Sequence, residues 1–318
     1  MEKIVVGIDI GGTNTTFGFV NHEGKIIATG SIRTDEFEEF DAYLKKLVSE
    51  IKKVFNTVTD SVEITGYGTG APNANYFRGT IEDAPNLKWN GSVSYNASLS
   101  KLTGKPSFLT NDANAAALGE KLFGNATDLD DFIVITLGTG LGSGIFCGGK
   151  LLYGSTGHAG ELGHVIVKEN GRLCGCGRNG CLETYASATG ITNTVKELIE
   201  KDFNSVLKEI KPDSFNSEMI YEAALKGDKL AIEAFEITGG ILGKALANAA
   251  ALFSPQAIFL AGGLANAGDY ILKPTIKHFE NNLLNIYKNT VKILTSGLEQ
   301  NKAAILGAAA LCWNEMNI

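Results

Sequence analysis

The sequence begins with MEKIVVGIDIGGTNTTFGFVNHEGKIIATG, residues 1–30, which gives the clearest indication of the fold class. Residues 3–9 are apolar and rich in β-branched side chains, which predicts a buried strand, and a glycine turn follows it. Further strands are predicted at 17–20 and 25–28. Residues 37–55 then place apolar side chains every three or four positions, which predicts an amphipathic helix. Three short strands followed by a helix are typical of an α/β unit.

The same layout restarts at residues 132–153, FIVITLGTGLGSGIFCGGKLLY. Laid on residues 4–28, its first glycine turn falls near Gly11-Gly12-Thr13 and its second falls near the turn NHEG. We interpret this correspondence as an ancient duplication that produced two α/β domains. The remaining predicted elements are strands at 62–68 and 106–112, a strand with a glycine turn at 257–265, and helices near 94–102 and from 111 or 112 onwards. A small apolar C-terminal helix is expected to return to the first domain.

Bulk composition excludes several classes of protein. The chain has 318 residues, enough for two domains, and a net charge of -7 without a basic stripe, which disfavours nucleic-acid binding. Its apolar runs are too short for a membrane span or a signal peptide, so we expect a cytoplasmic protein without membrane association. Three of the five cysteines lie within residues 174–181. In a reducing compartment this crowding indicates metal binding before disulfide formation.

Glycine turns follow the two repeated strands. The first, Asp9 to Thr13, offers backbone N–H groups and a hydroxyl to a phosphate and a carboxylate to Mg²⁺, although an ordinary hairpin turn explains it equally well. The second, GTGLGSG at 138–144, holds more glycine than a turn requires. It predicts a second phosphate cradle at Gly138, Thr139 and Gly140. It fits neither a P-loop nor a dinucleotide fingerprint.

A third glycine turn, AGGLANAG, spans residues 261–268. Its residues Gly262 and Gly263 favour a turn that contacts adenosine. A plain helix N-terminus explains the same residues nearly as well. The sequence alone leaves both interpretations open.

The most specific motif is CGCGRNGCLE, residues 174–183. Cys174, Cys176 and Cys181 supply three thiolates, and the glycines between them allow the chain to fold tightly around a metal ion. His164, ten residues upstream, is the natural fourth ligand of a structural Cys₃His zinc site. A reactive or merely exposed cysteine cluster is the competing interpretation.

HAGELGH, residues 158–164, superficially resembles a zinc-protease helix, but it lacks the HExxH pattern and carries helix-weakening glycines. Glu161 and His164 instead look like polar groups held on a rigid loop by the metal and suited to binding neighbouring hydroxyls. Glu183, just past the last cysteine, is expected to point to the same place.

TNDANAAALGE, residues 110–120, places Asn111 and Asp112 where a strand ends and a helix begins. Both residue types are favoured helix caps, and taken alone the capping interpretation is the stronger one. The functional hypothesis is that Asp112 accepts the proton of a hydroxyl group that attacks a γ-phosphoryl group.

DIGGT, NDANAAALGE, GTGLGSGI, HAGELGH and CGCGRNGCLE occur in one order, and together they resemble the ROK family (repressor, open reading frame, kinase), particularly its bacterial glucokinase branch. The resemblance implies an α/β actin-like ATPase fold with two ribonuclease-H-like domains flanking a cleft. The expected small domain comprises residues 1–112 plus about 301–318, and the large domain comprises 113–300 with the zinc motif. ATP, Mg²⁺, a structural Zn²⁺ and a homodimer are implied as well.

The resemblance also implies roles. Asp112 is the expected catalytic base for ATP-dependent phosphorylation of a hexose, with glucose giving glucose 6-phosphate as the first expectation. The residues expected to bind the sugar are Asn86, Asn111, Asp112, Glu161, His164 and Glu183. The residues expected to bind ATP and its metal ion are Asp9, Gly11, Gly12, Thr13, Gly138, Thr139, Gly140, Gly262 and Gly263.

Two departures from the family pattern bear on the choice of sugar. GTGAPNANYFRG stands where a Gly-x-Pro-Gly turn is expected near residue 70, and Lys88-Trp89-Asn90 stands where Gly-Trp is more usual. A kinase for N-acetylmannosamine, fructose or allose is therefore an alternative, as is a non-catalytic sugar sensor. Family repressors carry a helix-turn-helix region before the first strand, whereas this chain reaches that strand by residue 4, which disfavours a repressor.

Overall fold

A computed structural model describes residues 1–59, 61–200, 205–210, 214 and 216–316. Two units divide the chain: the first comprises residues 1–129, 151–159 and 297–318, and the second comprises residues 130–150 and 160–296. The first unit holds β1 (Glu2–Ile10), β2 (Asn14–Asn21), β3 (Ile26–Arg33), α1 (Phe40–Phe55), β4 (Val62–Gly70), β5 (Ala74–Asn75), β6 (Thr80–Glu82), β7 (Ser92–Val93), α2 (Tyr95–Thr103), β8 (Ser107–Thr110) and α3 (Asp112–Phe123).

The chain continues with β9 (Phe132–Leu137), β10 (Leu141–Cys147), β11 (Lys150–Leu151), α4 (Ala188–Ile199), α5 (Ser217–Leu225), α6 (Lys229–Phe253), β12 (Ala257–Ala261), α7 (Asp269–Asn282) and β13 (Lys292–Thr295). The last helix, α8 (Gln300–Met316), belongs to the first unit. Within the described residues, no helix combines the length and the apolar character needed to cross a membrane.

The first unit is built on a five-stranded sheet of order β3-β2-β1-β4-β8. β1, β2 and β3 are antiparallel neighbours, whereas β4 and β8 run parallel to β1. β1 is buried from Ile4 to Ile8, as its continuous apolar run predicts. The predicted strands at 3–9, 17–20 and 25–28 are confirmed.

Helix α1 confirms the predicted change of period. It buries one face, formed by Tyr43, Leu44, Leu47, Val48 and Ile51. The helix begins at Phe40 rather than at 37, because the Phe37 amide donates to the Thr34 carbonyl at 3.2 Å in a turn that precedes it.

Helix α8 lies directly on the first sheet, as predicted for the small apolar C-terminal stretch. A Cβ atom at Gly68 of β4 would overlap the carbonyl oxygen of Ala308, so only glycine allows this close approach. Ala308, Ala309, Cys312 and Trp313 are buried by the contact. Returning the C-terminus to the first unit therefore completes its core.

The second unit repeats the arrangement with a sheet of order β11-β10-β9-β12-β13. β9 and β10 are antiparallel, and β12 and β13 run parallel to β9. The order corresponds strand for strand to the first sheet, which supports the duplication inferred from residues 132–153. The third strand of this repeat, β11, is only two residues long.

The unit boundaries differ from the division at residue 112 drawn from the sequence. Residues 113–129, which include most of α3, belong to the first unit because α3 packs on α8, where a Cβ at Gly307 would overlap the carbonyl oxygen of Ala115. Residues 151–159 also return to the first unit, where the ring of Tyr153 stacks on Tyr76 with centroids 3.8 Å apart.

Candidate active site

The sequence left open whether Asn111 and Asp112 cap a helix or carry a catalytic function, and the structure separates the two residues. Asn111 is the N-cap of α3, and its Oδ1 accepts from the amides of Ala113 at 2.8 Å and Asn114 at 3.4 Å. Asp112 is the first helical residue and an exposed one, and its Oδ1 accepts from the Ala113 amide at 2.8 Å. Because Asn111 already caps the helix, the carboxylate of Asp112 is available for another function.

Asp9 lies at the end of β1 in the same unit, and its carboxyl is electrostatically coupled to Asp112. Burial, followed by the negative charge of Asp112, raises the pKa of Asp9 to about 6. Desolvation by the surrounding protein also raises the pKa of Asp112, and the hydrogen bond from the Ala113 amide partly offsets that effect. Two neighbouring carboxyls with raised pKa values are a signature of a functional site.

We expect Asp9→Asn to raise the free energy of unfolding by about 3 kcal/mol near pH 7.5. The folded-state pKa of about 6 exceeds the ordinary 3.8, so the ionised carboxylate destabilises the fold above that pKa. This difference should shrink as the pH falls through the window from 6 to 3.8, where both states become protonated. Urea unfolding at pH 7.5 and pH 4 measures it, with the exposed Asp41→Asn as control. An equal difference at both pH values would contradict the assignment.

Backbone hydrogen bonds to Thr13 hold the glycine turn after β1 in place. The Thr13 carbonyl accepts from the amides of Thr34 at 2.8 Å and Asp35 at 3.4 Å. A Cβ at Gly12 would come within 2.8 Å of the backbone oxygen of Asn86, so the exposed Asn86 lies directly against this turn. The structure thus brings together two predicted elements that are more than seventy residues apart.

A buried hydroxyl network supports this turn, and sequence reasoning missed it. Thr15 Oγ1 lies 2.8 Å from both Thr34 Oγ1 and Tyr43 Oη, and all three residues are buried. A threonine among the inward-facing positions of β2 and a tyrosine on the buried face of α1 were the available signals. Such networks fix the backbone they connect.

In the second unit, the turn at 138–140 closes on itself, with the Gly138 amide donating to the Gly140 carbonyl at 3.0 Å. Glu183 lies against this turn: its Oε2 accepts from the Leu141 amide at 3.0 Å. Its other oxygen lies 3.6 Å from Cys174 Sγ. Glu183 therefore contacts both the glycine turn and the cysteine motif.

The turn after β12 differs from an α-helix N-terminus. Gly262 adopts φ 91°, a conformation that favours glycine, and residues Gly263–Ala267 form a short 3₁₀ helix. Helix α7 begins only at Asp269. Residues 262–268 therefore form a turn and a short 3₁₀ helix before α7.

His164, Cys174, Cys176 and Cys181 form one cluster, with their potential ligand atoms all within 4.8 Å of one another. The Cys176 and Cys181 sulfurs are 3.7 Å apart, and Cys174 Sγ lies 3.6 Å from His164 Nδ1. A tetrahedral zinc ion with ordinary bond lengths requires separations of about 3.8 Å between sulfurs and roughly 3.5 Å between sulfur and nitrogen. The donor set and its spacing fit a structural zinc ion.

The loop that carries Glu161 and His164 is short and tight. Leu162–His164 form one 3₁₀ turn, and Ser143 Oγ donates to the Gly160 carbonyl beneath it. His164 Nδ1 faces the cysteines while its Nε2 lies 3.9 Å from Glu161 Oε2. Because the segment is not an α-helix, the rejected zinc-protease interpretation has no structural basis.

Arg172 anchors the cysteine loop, and no motif pointed to it. Its guanidinium donates to the carbonyls of Thr184 at 2.6 Å and Gly190 at 3.0 Å, pairs with Glu197 and stacks over Tyr185. A single arginine within a glycine-rich loop carries no periodic signal. This clamp ties the loop to the 3₁₀ turn that bears Glu183.

The predicted site residues fall into two groups by unit. The first unit holds Asp9, Gly11, Gly12, Thr13, Asn86, Asn111 and Asp112. The second unit holds Gly138, Thr139, Gly140, Glu161, His164, Cys174, Cys176, Cys181, Glu183, Gly262 and Gly263. Each group combines a glycine turn with carboxylate side chains, and only the second has the metal cluster.

Known proteins similar to this chain over most of its length include a family model, curated glucokinases and solved structures. The ROK family model matches residues 5–315. A glucokinase of Thermotoga maritima is 33% identical over 315 residues, covering 98% of each chain. The crystal structure of a ROK family glucokinase from Streptomyces griseus in complex with glucose and AMPPNP has a TM-score of 0.81 at 33% identity, covering 97% of this chain and 98% of that one.

A ROK family transcriptional regulator, homologous to the MLC protein of E. coli, is also similar. Its TM-score is 0.87 at 30% identity, covering 98% of this chain and 78% of that one. The chain belongs to the ROK family. Its fold is the actin-like ATPase fold of the ROK sugar kinases, as the resemblance predicted.

Proposed function

We propose that the protein is an ATP-dependent kinase that phosphorylates a hexose, with glucose as substrate and glucose 6-phosphate as product. The observation that carries the proposal is the placement of Asp112. Its carboxylate stands at the start of α3, released from capping by Asn111, and shares its surroundings with Asp9. The similar glucokinases support the same activity.

Asp112 acts as the general base in this proposal. It accepts the proton of the sugar hydroxyl as that oxygen attacks the γ-phosphoryl group of ATP, and ADP leaves with the electron pair of the broken P–O bond. Its raised pKa makes it a stronger base than an ordinary aspartate. Asn111 binds the sugar through its amide group, since its Oδ1 is used by the helix.

The glycine turns bind the nucleotide through backbone N–H groups. The phosphate-binding residues are Gly11, Gly12 and Thr13 of the first unit and Gly138 and Thr139 of the second. Gly262 and Gly263 contact the adenosine. Backbone donors suit a protein with a net charge of -7 and no basic stripe in its sequence. Mg²⁺, bound near Asp9, would neutralise charge on the phosphates.

Glu161, His164 and Glu183 bind hydroxyls of the sugar in this proposal, and Asn86 is a further sugar-binding residue. The Cys₃His cluster holds zinc, which fixes the imidazole of His164 with Nδ1 on the metal side and Nε2 directed to Glu161. A metal-bound histidine with a defined partner on its other nitrogen has one orientation and one tautomer. This explains why a structural metal stands beside sugar-binding groups.

The family also contains regulators, and a sugar-sensing protein without catalysis is the alternative. A sensor needs to bind the sugar but has no use for a base with a raised pKa. Turnover distinguishes the kinase from the sensor, because only the kinase converts ATP to ADP in proportion to the sugar consumed.

ADP release with ATP and Mg²⁺ across glucose, mannose, fructose, allose, N-acetylglucosamine and N-acetylmannosamine tests the proposal. We expect glucose to give the highest kcat/KM, by at least about tenfold over its epimers, because a buried polar group left unpaired by the wrong epimer is costly. A higher value for another sugar would transfer the assignment to that sugar. No turnover on any sugar by folded, zinc-loaded protein would favour the sensor.

We further propose that the enzyme acts in the cytoplasm, where its co-substrate ATP is available, and in carbohydrate breakdown that begins with glucose phosphorylation.

A homodimer is expected from the family resemblance, and light scattering on the purified protein measures its mass. A monomeric mass would exclude the dimer without affecting the proposed chemistry.

A further inference from the structure

Gly140 lies in the turn that was predicted to cradle a phosphate, yet its surroundings are those of a carboxylate. A Cβ atom built at Gly140 would overlap Oε2 of Glu183, whereas a Cβ at Gly138, two residues earlier, meets nothing within 4 Å. Gly140 does not adopt a positive φ, unlike Gly148 and Gly149 in the next turn. Backbone conformation therefore does not require glycine at this position, and the neighbouring carboxylate does.

Two contacts and the space at Gly140 fix the carboxylate of Glu183 in this place. Oε2 accepts from the Leu141 amide at 3.0 Å, Oε1 lies 3.6 Å from Cys174 Sγ, and the missing side chain of Gly140 makes room for Oε2. The residue itself is the middle one of a short 3₁₀ turn, Leu182–Thr184, that Arg172 anchors through the Thr184 carbonyl.

The charge of Glu183 also bears on what the turn can bind. A carboxylate against Gly140, with the Leu141 amide already donating to it, disfavours a phosphate at this end of the turn. The open space at Gly138 carries no such charge within contact distance. The two ends of one glycine turn therefore serve different ligands.

We infer that Gly140 is a positioning residue for sugar binding, which acts through Glu183, and that only the Gly138 end of the turn serves the nucleotide. The inference rests on the proposed function, in which Glu183 binds a sugar hydroxyl. It assigns sugar recognition to a residue whose sequence context indicates phosphate binding.

Gly140→Ala tests the inference without removing any polar group. The atom in the way is the far end of a flexible side chain, so Glu183 swings aside and the fold tolerates the change. We expect the KM for glucose to rise by about tenfold to a hundredfold, as for a lost hydrogen bond to a charged group. The KM for ATP, the melting temperature and the zinc content should stay close to those of the wild type.

Gly138→Ala is the matched comparison, because it adds the same methyl group to the same turn. We expect the reverse pattern, a raised KM for ATP with an unchanged KM for glucose. Glu183→Ala completes a double-mutant cycle: the Gly140→Ala/Glu183→Ala protein should have the same KM for glucose as Glu183→Ala alone, within about twofold. Additive effects would show that Gly140 acts independently of Glu183.

The result that would overturn the inference is a raised KM for ATP in Gly140→Ala with an unchanged KM for glucose. Glu183→Asp guards against a folding artefact, since its shorter side chain leaves the Leu141 amide while Gly140 is intact, and it should reproduce the higher KM for glucose. Turnover by the wild type in the same assay tests the proposed function separately. If the wild type neither phosphorylates nor binds glucose by calorimetry, both proposals fail.

Discussion

Asp112→Asn should lower kcat for glucose phosphorylation by at least about a thousandfold, within the range that general-base catalysis contributes. The amide retains the size of the carboxylate and its acceptor for the Ala113 amide, but it cannot take the hydroxyl proton. Because Asn111 caps α3, the fold should be unaffected. Glucose affinity should change little, since the substitution removes a proton acceptor rather than the binding groups.

Steady-state kinetics and calorimetric titration with glucose measure the two effects separately. Asp41→Asn is the control, because Asp41 also lies in the first turn of a helix and is exposed. Near-normal turnover in Asp112→Asn would exclude Asp112 as the base. A large loss of glucose affinity with a normal kcat would make it a binding residue instead.

Cys176→Ala should abolish stoichiometric zinc binding and lower kcat/KM for glucose by about 10- to 100-fold, the usual cost of disturbing the groups that orient a metal-bound histidine. Cys176 is the suitable position because it is exposed, so its removal opens no cavity, whereas Cys174 and Cys181 are buried. Without the metal, His164 loses its fixed orientation toward Glu161.

Zinc content by mass spectrometry and kinetics on the same preparation test this prediction. Cys147→Ala is the control, since Cys147 lies in β10, outside the cluster. A full complement of zinc in Cys176→Ala would refute the ligand set. Loss of zinc with unchanged kcat/KM for glucose would separate the metal from sugar recognition.

The sequence predicts the elements of this fold well where the periodicity is strong. The apolar run of β1 and the helical spacing of α1 leave few alternatives, and the repeat at 132–153 reveals the second sheet. The unit boundary near α3 was not predictable in the same way. It depends on the contact of α3 with α8, and nothing local to residue 112 signals a partner almost two hundred residues later.

The site was predictable as a set of motifs but not as a set of contacts. The spacing of the three cysteines and His164 indicated the metal cluster, because ligand spacing is itself a local property. The division of labour between Asn111 and Asp112 required the backbone, which shows which side chain caps the helix. Arg172 and the Thr15–Tyr43 network gave no signal, since their partners are distant and of ordinary residue types.

Glu183 shows most clearly which contacts the sequence motifs could not predict. Its position after the last cysteine suggested a sugar ligand, but its contact with the Gly138–Gly140 turn joins two motifs more than forty residues apart. Sequence motifs assign one ligand to each turn. The structure shows a carboxylate occupying the space that Gly140 leaves open, and this contact changes what that turn is expected to bind.

The product balance of the purified, zinc-loaded protein with glucose, ATP and Mg²⁺ tests directly whether it is a glucokinase. ADP is measured with a pyruvate kinase couple and glucose 6-phosphate with its dehydrogenase. We expect equal amounts of both products, and neither product above background with Asp112→Asn. ADP without glucose 6-phosphate, or neither product from wild-type protein that binds glucose, would contradict the assignment as a glucokinase.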